Sequence, residues 1–537
     1  MTDVSHPHAE ETQLAEPHLG AVLASAGLDA EYVRAEGNML YQRAEDGGEI
    51  PVLDYAGGYG SLLLGHHHPK LVAYAKELLD AGVPVHSQFS LHPEAARLAL
   101  TLSRIVRRES GYEEPYFAIF ANTGAEANEA ALKHAEMDRV MRLGALLATI
   151  DDGITKAREA VRDGSATIPA EVFERVGLEP RDSGVAALNE LTHHLVTRNA
   201  TQAGRPPVLL TPEGSFHGKL VGTVQLTHNE GYRNPFKALA AQARFVPLDR
   251  PGMLRKMADE ERATLFGLEV ADGLVRLTEH DAPLICAFIL EPIQGEGGIR
   301  EVSREFVQEV HEVCAEAGAP VIVDEIQSGM GRTGDFLAGT RLGLRGDYYT
   351  LAKSLGGGLA KISVLLVRGS RYQGQFELIH SSTFAKDGFS NRIALKVLEL
   401  LEADDGAAYR KAAELGDRLL AMLGSVRDDY PDVVKDVRGR GLFLGLEFHD
   451  QSGAPAAPAA PVAEAARSGL FGYLVAGHLL RGHRLRTFPT ASAPNTLRFE
   501  PSVLLTDDEI KWLETALRDT CDIIQGGYRR PLELPGA

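Results

Sequence analysis

From Tyr32 the chain alternates apolar and polar positions through YVRAEGNMLYQRAEDGGEIPVLDYAGGYGSLLLGHHHP, broken by Gly turns, which predicts short antiparallel strands. The period then lengthens: apolar residues recur at helical spacing over residues 90–106, and again over 125–141 behind Asn122-Thr123-Gly124. Residues 143–150, 154–161 and 185–196 predict three amphipathic helices separated by polar turns, so 137–202 reads as a helical insertion. Short apolar runs follow at 208–210, 245–248, 285–290 and 321–323, each ending in polar residues, with helical stretches such as 305–317 between them. This is the rhythm of an α/β domain with a mostly parallel sheet and crossover helices. In such sheets chemistry gathers beyond the carboxyl ends of the strands, where Glu291 and Asp324 fall. A helix over 390–402 leads away from the sheet, and 453–461, rich in Ala and Pro, predicts an exposed loop.

At 537 residues the chain exceeds one ordinary core. We expect a flexible N-terminal tail (1–30), the first part of a small α+β domain (31–89), a large domain carrying the sheet and the insertion (90–389), and a C-terminal return to the small domain (390–537). A net charge of −19 without a basic run argues against nucleic acid. Neither the start of the chain nor any apolar stretch has the character of a leader or a bilayer span, so no membrane partner and a cytoplasmic location are expected. Cys286, Cys314 and Cys521 lie far apart without metal-ligand spacing and read as small core residues; no metal is expected.

Four segments carry candidate chemistry. Lys353 is flanked by apolar residues and followed by Gly356-Gly357-Gly358. Burying its ammonium is costly, whereas an imine-forming lysine needs the depressed pKa that burial gives; a lysine snorkelling before a glycine loop is the alternative. Asp324 ends an apolar run, where a carboxylate can keep a pyridine nitrogen protonated, with Gln327 three residues on; it could equally cap a helix. Gly124 and Ala125 open a helix and offer free amides and the positive dipole end to a phosphate, although capped helix starts are common. Phe216 could stack on a flat heterocycle with His217 near its edge, or be ordinary core.

In this order and spacing these segments resemble the class III aminotransferases, the group of ornithine, acetylornithine and 4-aminobutyrate aminotransferases, over residues 32–524. The resemblance rests on Asp324-Glu325-Ile326-Gln327-Ser328-Gly329 through Arg332-Thr333-Gly334, the Lys353 motif, Asn122 to Ala130, Phe216-His217-Gly218, and Glu291-Pro292-Ile293-Gln294-Gly295-Glu296. It implies the fold-type I architecture and pyridoxal 5'-phosphate as cofactor. By the same resemblance Lys353 is the imine lysine and proton shuttle, Asp324 faces the pyridinium, Gln327 lies near the ring oxygen, Gly124 and Ala125 bind phosphate, and Phe216 covers the ring beside His217 and Glu291. It implies further that Thr383 reaches the phosphate of a neighbouring subunit, hence a homodimer with shared sites. Arg498 would grip a substrate carboxylate and Glu296 pair with it otherwise, while Tyr59, Ser87, Gln88 and Phe89 would line the substrate channel. An arginine fork suits a carboxylate, although a surface ion pair is the plainer reading of Arg498.

The chain departs from the family pattern at Lys386-Asp387-Gly388, where Gly-Asn-Pro is usual, in the insertion, and in the Ala/Pro loop near Pro455. The insertion has three expected roles: dimer extension, lid or docking surface. These departures liken the chain to aminotransferases of secondary-metabolite pathways that aminate an aldehyde from a carrier-bound assembly line. The expected activity is ping-pong transfer of an amino group from a donor such as glutamate to an aldehyde or keto acceptor. The rivals are a same-fold aminomutase or epimerase, and a non-catalytic interaction protein.

Overall fold

The computed structural model describes residues 15–87, 90–453, 460–529 and 531–532. Gln88, Phe89, residues 1–14 of the expected tail and residues 454–459 of the Ala/Pro segment lie outside the described residues.

Seven strands form the central sheet: β1 (Tyr116–Ala121), β2 (Val208–Pro212), β3 (Ala243–Val246), β4 (Ile285–Leu290), β5 (Val321–Asp324), β6 (Tyr348–Leu351) and β7 (Ser363–Arg368). Their spatial order is β1-β7-β6-β5-β4-β2-β3, and β7 alone runs against its neighbours. Every residue of β4 and β5 is buried, as strands covered by helices on both faces require. Alternate residues serve opposite cores: Phe288, Leu290, Val321 and Val323 join the larger one, and Ala287, Ile289 and Ile322 the smaller one across the sheet. The apolar runs thus predict β2 to β5, while β1, β6 and β7 emerge only from the fold.

The insertion differs from its expected form. Residues 124–163 are one continuous 40-residue helix, α1 (Gly124–Asp163), because no proline interrupts it and Gly144 and Gly153 are tolerated within it. Its far half packs on α2 (Val185–Ala203), on the short helix Ala170–Arg175, and on a hairpin of Thr264–Ala271 with Leu274–Asp281 that arrives sixty residues later. These elements share a separate apolar core including Leu143, Ile154, Phe173, Leu191, Phe266 and Leu277, so the extra module is α+β and not purely helical.

The chain ends meet. Strands Tyr32–Glu36, Met39–Arg43 and Glu49–Asp54 pair antiparallel, and Leu485–Arg486 adds to the third in parallel. A second sheet joins Val434–Arg440, Phe443–Phe448, Thr496–Phe499 and Phe488–Pro489. Within the segment expected as a flexible tail, Pro17–Ser25 is a helix, and Ala26 and Leu28 bury against Ala476 and Leu480. Asp387 caps the helix that starts at Gly388, accepting from Ser390 N at 2.7 Å, and helical geometry breaks at Ala403. Residues 460–467, at the end of the expected Ala/Pro loop, begin a helix. Among the described residues no helix is long and apolar enough to cross a membrane.

Candidate active site

The carboxyl ends of β1, β2, β4, β5 and β6 converge on one pocket of about 570 Å³. Its wall includes Gly124 and Ala125 after β1, Phe216 and His217 after β2, Glu291 after β4, Asp324 and Gln327 at and after β5, and Lys353 after β6. Residues separated by more than two hundred positions are thereby placed around one space. No residue of 137–202 is among those lining it.

At one end, α1 opens with a capping box: Thr123 Oγ1 accepts from Glu126 N, and Glu126 Oε2 accepts from Asn122 N and Thr123 N, both at 2.8 Å. Those bonds leave the amides of Gly124 and Ala125 as first-turn donors beside the pocket, with the helix dipole behind them. Gly124 lets Ile326 pack close, since a Cβ there would lie 2.8 Å from Ile326 Cδ1 and the isoleucine would have to shift.

Across the pocket Asp324, 4% exposed, is held from three sides. Its Oδ2 takes His217 Nδ1 at 2.8 Å and Asn128 Nδ2 at 2.7 Å, and its Oδ1 takes Ile326 N at 3.1 Å. His217 Nε2 contacts Thr211 Oγ1 at 3.2 Å, and Asn128 Nδ2 also reaches His217 O at 2.9 Å. With about four acceptor sites, the carboxylate retains one for a further donor. Asn128 Oδ1, fully buried in the same wall, has no partner and is a second acceptor awaiting one. Asn128 was not singled out from the sequence: a polar residue on the inner face of a helix start is recognisable only once Asp324 lies opposite it.

Glu291 sits behind Phe216, accepting from Phe216 N at 2.9 Å and Gly295 N at 3.1 Å. Burial pushes its carboxyl up to about 7.

Lys353 follows β6 in a left-handed backbone conformation, φ 43°, an unfavourable state for a side-chain-bearing residue that here turns it out of the sheet toward the pocket. Burial pulls its ammonium below the ordinary value and Arg498 adds to this, while Glu500, Glu296 and Asp324 oppose.

Beyond Lys353 lies a second set of side chains. Arg498, 1% exposed, gives Nη2 to Glu296 Oε2 at 2.6 Å and to Pro489 O at 3.3 Å, leaving Nε and Nη1 buried without partners. The expected surface ion pair is thus a buried one. Burial would raise the Glu296 carboxyl, but Arg498 and the Ala491 amide hold it below its ordinary value. Tyr59 lies under the Arg498 guanidinium at 5.1 Å and stacks on Phe488 at 5.7 Å. Gln327 does not stand free, because its Nε2 donates to Glu500 Oε1 and Oε2 at 2.9 and 3.0 Å. Thr383 is exposed and absent from the wall of its own chain's pocket, next to exposed Phe384 and near exposed Leu378 and Ile379. Far from this site, His478, His483 and Asp519 form the one group of possible metal ligands among the described residues; there His483 Nε2 already bonds Asp519 Oδ2 at 3.0 Å.

A lysine, a held carboxylate, a flat apolar ring and a helix N-terminus around one pocket fit pyridoxal phosphate: imine, pyridinium, ring face and phosphate each find a matching group. The comparisons agree. Residues 24–520 match the family model of aminotransferase class-III. The ornithine aminotransferase of Toxoplasma gondii is 21% identical with a TM-score of 0.63, covering 93% of this chain and 91% of that one. An engineered thermostable omega transaminase is 19% identical with a TM-score of 0.67, covering 97% of each chain. The N-acetylornithine aminotransferase of Stenotrophomonas maltophilia is 23% identical with a TM-score of 0.58, covering 95% and 99%. These likenesses carry the fold; a second structure of the Toxoplasma enzyme is described with partial occupancy of PLP at its active site.

Proposed function

We propose that this chain, which belongs to the class III aminotransferases and is therefore a fold-type I, pyridoxal-phosphate-dependent enzyme, moves an amino group from glutamate to an aldehyde or keto acceptor in two half-reactions. The observation that carries the reading is that Lys353, Asp324 and the Gly124–Ala125 helix start line one pocket.

When bound, the cofactor supplies an aldehyde carbon that captures amines and a ring that accepts electrons from the neighbouring carbon. Lys353 would hold it, Gly124 and Ala125 would take its phosphate, Phe216 would cover its face, and Asp324 would keep a proton on its ring nitrogen. His217 and Asn128 both donate to Asp324 Oδ2 and so hold the carboxylate in place. When not holding the cofactor, Lys353 Nζ would be the base that takes the proton from the donor's amine-bearing carbon, a task favoured by the lowering of its ammonium value through burial.

Arg498 holds the donor. Its unpartnered Nε and Nη1 support carboxylate binding, with Glu296 turning aside for a dicarboxylate and returning when the acceptor lacks that charge. A homodimer places Thr383 at the partner's phosphate, and the exposed Leu378, Ile379 and Phe384 beside it support burial against a second copy. The departures at 386–388, in the insertion and in the Ala/Pro loop support, among these acceptors, an aldehyde from carrier-bound biosynthesis.

The test is to mix protein and cofactor with glutamate and follow the visible absorbance of the bound cofactor. Wild type bleaches and recovers with an acceptor, and nitrogen-labelled glutamate delivers its label to a different carbon skeleton, which an aminomutase would not do. A Lys353→Ala variant turning over normally would end the proposal.

A further inference from the structure

A fully buried carboxylate stands beside this site without an established task. Glu500 follows strand Thr496–Phe499, two residues after Arg498, so one short segment sends a cation toward the substrate end and an acid toward Lys353. No basic side chain forms an ion pair with Glu500 among the described residues; its side-chain hydrogen bonds come from Gln327 Nε2, at 2.9 and 3.0 Å. Arg332 lies close by; its Nη1 and Nη2 donate to Leu442 O, Pro501 O and Gly60 O, while its buried Nε makes no hydrogen bond and forms no ion pair with Glu500. Gly60 lets the acid in, since a Cβ there would lie 2.7 Å from Glu500 Oε1.

Resting on the reading above, we propose that Glu500 is a positioning residue, which fixes the Gln327 amide toward the cofactor's ring oxygen and sets a negative charge beside Lys353. The orientation follows from donor and acceptor chemistry. Turned over, the Gln327 amide would point Oε1 at two carboxylate oxygens, so the Nε2 face is locked onto Glu500 and Oε1 is turned away from it. Its place beside the lysine follows from packing: Glu500 Oε1 lies against Gly60, whose carbonyl accepts from Ser354 Oγ at 2.7 Å next to Lys353, and Glu500, Glu296, Arg498 and Asp324 are the charged groups facing Lys353. A buried acid that carries no ion pair is expensive to keep. Its hydrogen-bond partner is a pocket residue, which ties that cost to the site.

The experiment is a pH titration of the visible band of the holoenzyme, with cofactor retention on dialysis measured alongside. Glu500→Gln removes the charge and lets the Gln327 amide turn, and it shifts the midpoint of the Lys353-linked band down by about one pH unit, a tenfold change in proton affinity. Gln327→Ala weakens retention severalfold in wild type but less than twofold in the Glu500→Gln background. Glu500→Asp keeps the charge and shortens the reach, so it holds the midpoint while losing the coupling to Gln327; it decides the matter if Glu500→Gln fails to fold. A purely structural Glu500 would move neither readout. An unmoved midpoint with additive retention losses overturns the proposal while a normal wild-type band leaves the aminotransferase reading standing. A wild-type protein with no Lys353-dependent band overturns both.

Discussion

Replacing Glu296 by Gln isolates one charge beside Arg498. Both hydrogen bonds that Glu296 accepts there, from Ala491 N at 2.7 Å and Arg498 Nη2 at 2.6 Å, land on the same oxygen, Oε2. A glutamine carbonyl in that place keeps both and removes only the negative charge. Two unit charges about 4 Å apart attract by about 4 kcal/mol at an effective dielectric constant of ~20. The retained hydrogen bond and the relieved desolvation of the carboxylate return part of this, leaving a net effect of about 1–2 kcal/mol. A glutamate side-chain carboxylate no longer has to displace a charged competitor, so its apparent affinity rises by about 5- to 30-fold. An amine without a carboxylate meets a bare guanidinium instead, and binds more weakly than to wild type. The assay is the half-reaction of the holoenzyme, titrated with glutamate and separately with a monoamine donor and followed by the cofactor band. Affinities for the two donors that move together, or a glutamate affinity that stays put, would refute the exchange of Glu296 for substrate at Arg498.

Two further outcomes follow from the same structure. Burial holds the Glu291 carboxyl up to about 7 against an ordinary 4.5, so the stability it contributes is fully present below about 4.5 and lost as pH rises through about 7. In melting curves of the cofactor-free protein between pH 4 and pH 9, Glu291→Gln therefore flattens the decline seen in wild type across that window; parallel curves would contradict the buried-acid account. Gly153 on α1 faces the backbone carbonyl of Leu268 in contact too close for a Cβ, so Gly153→Ala pushes the helix off the hairpin and costs about 1–3 kcal/mol within the extra module. Limited proteolysis should then cut residues 164–184 sooner while the cofactor band persists, and loss of the band together with the module would show that the two are not separable.

The motif residues were legible because their chemistry is local. Gly124 opens a helix, Asp324 ends an apolar strand, and Lys353 precedes a glycine turn, each readable from neighbours a few positions away. The same locality made β4 and β5 legible, whose unbroken apolar runs need burial on both faces. It failed where the partner is distant. The two helices expected at 143–150 and 154–161 fuse with the start of α1, because their common apolar face is completed by a hairpin more than a hundred residues on, and a helical period cannot reveal what covers it. Asn128 and Glu500 looked like ordinary polar residues in sequence; one became part of the Asp324 cradle and the other the partner of Gln327 only when strands far apart in the chain were laid side by side. Sequence alone determined which side chains could do this chemistry. Tertiary structure decided which of them face each other, because hydrogen bonds and buried charges depend on ångström distances between segments that the order of residues does not record.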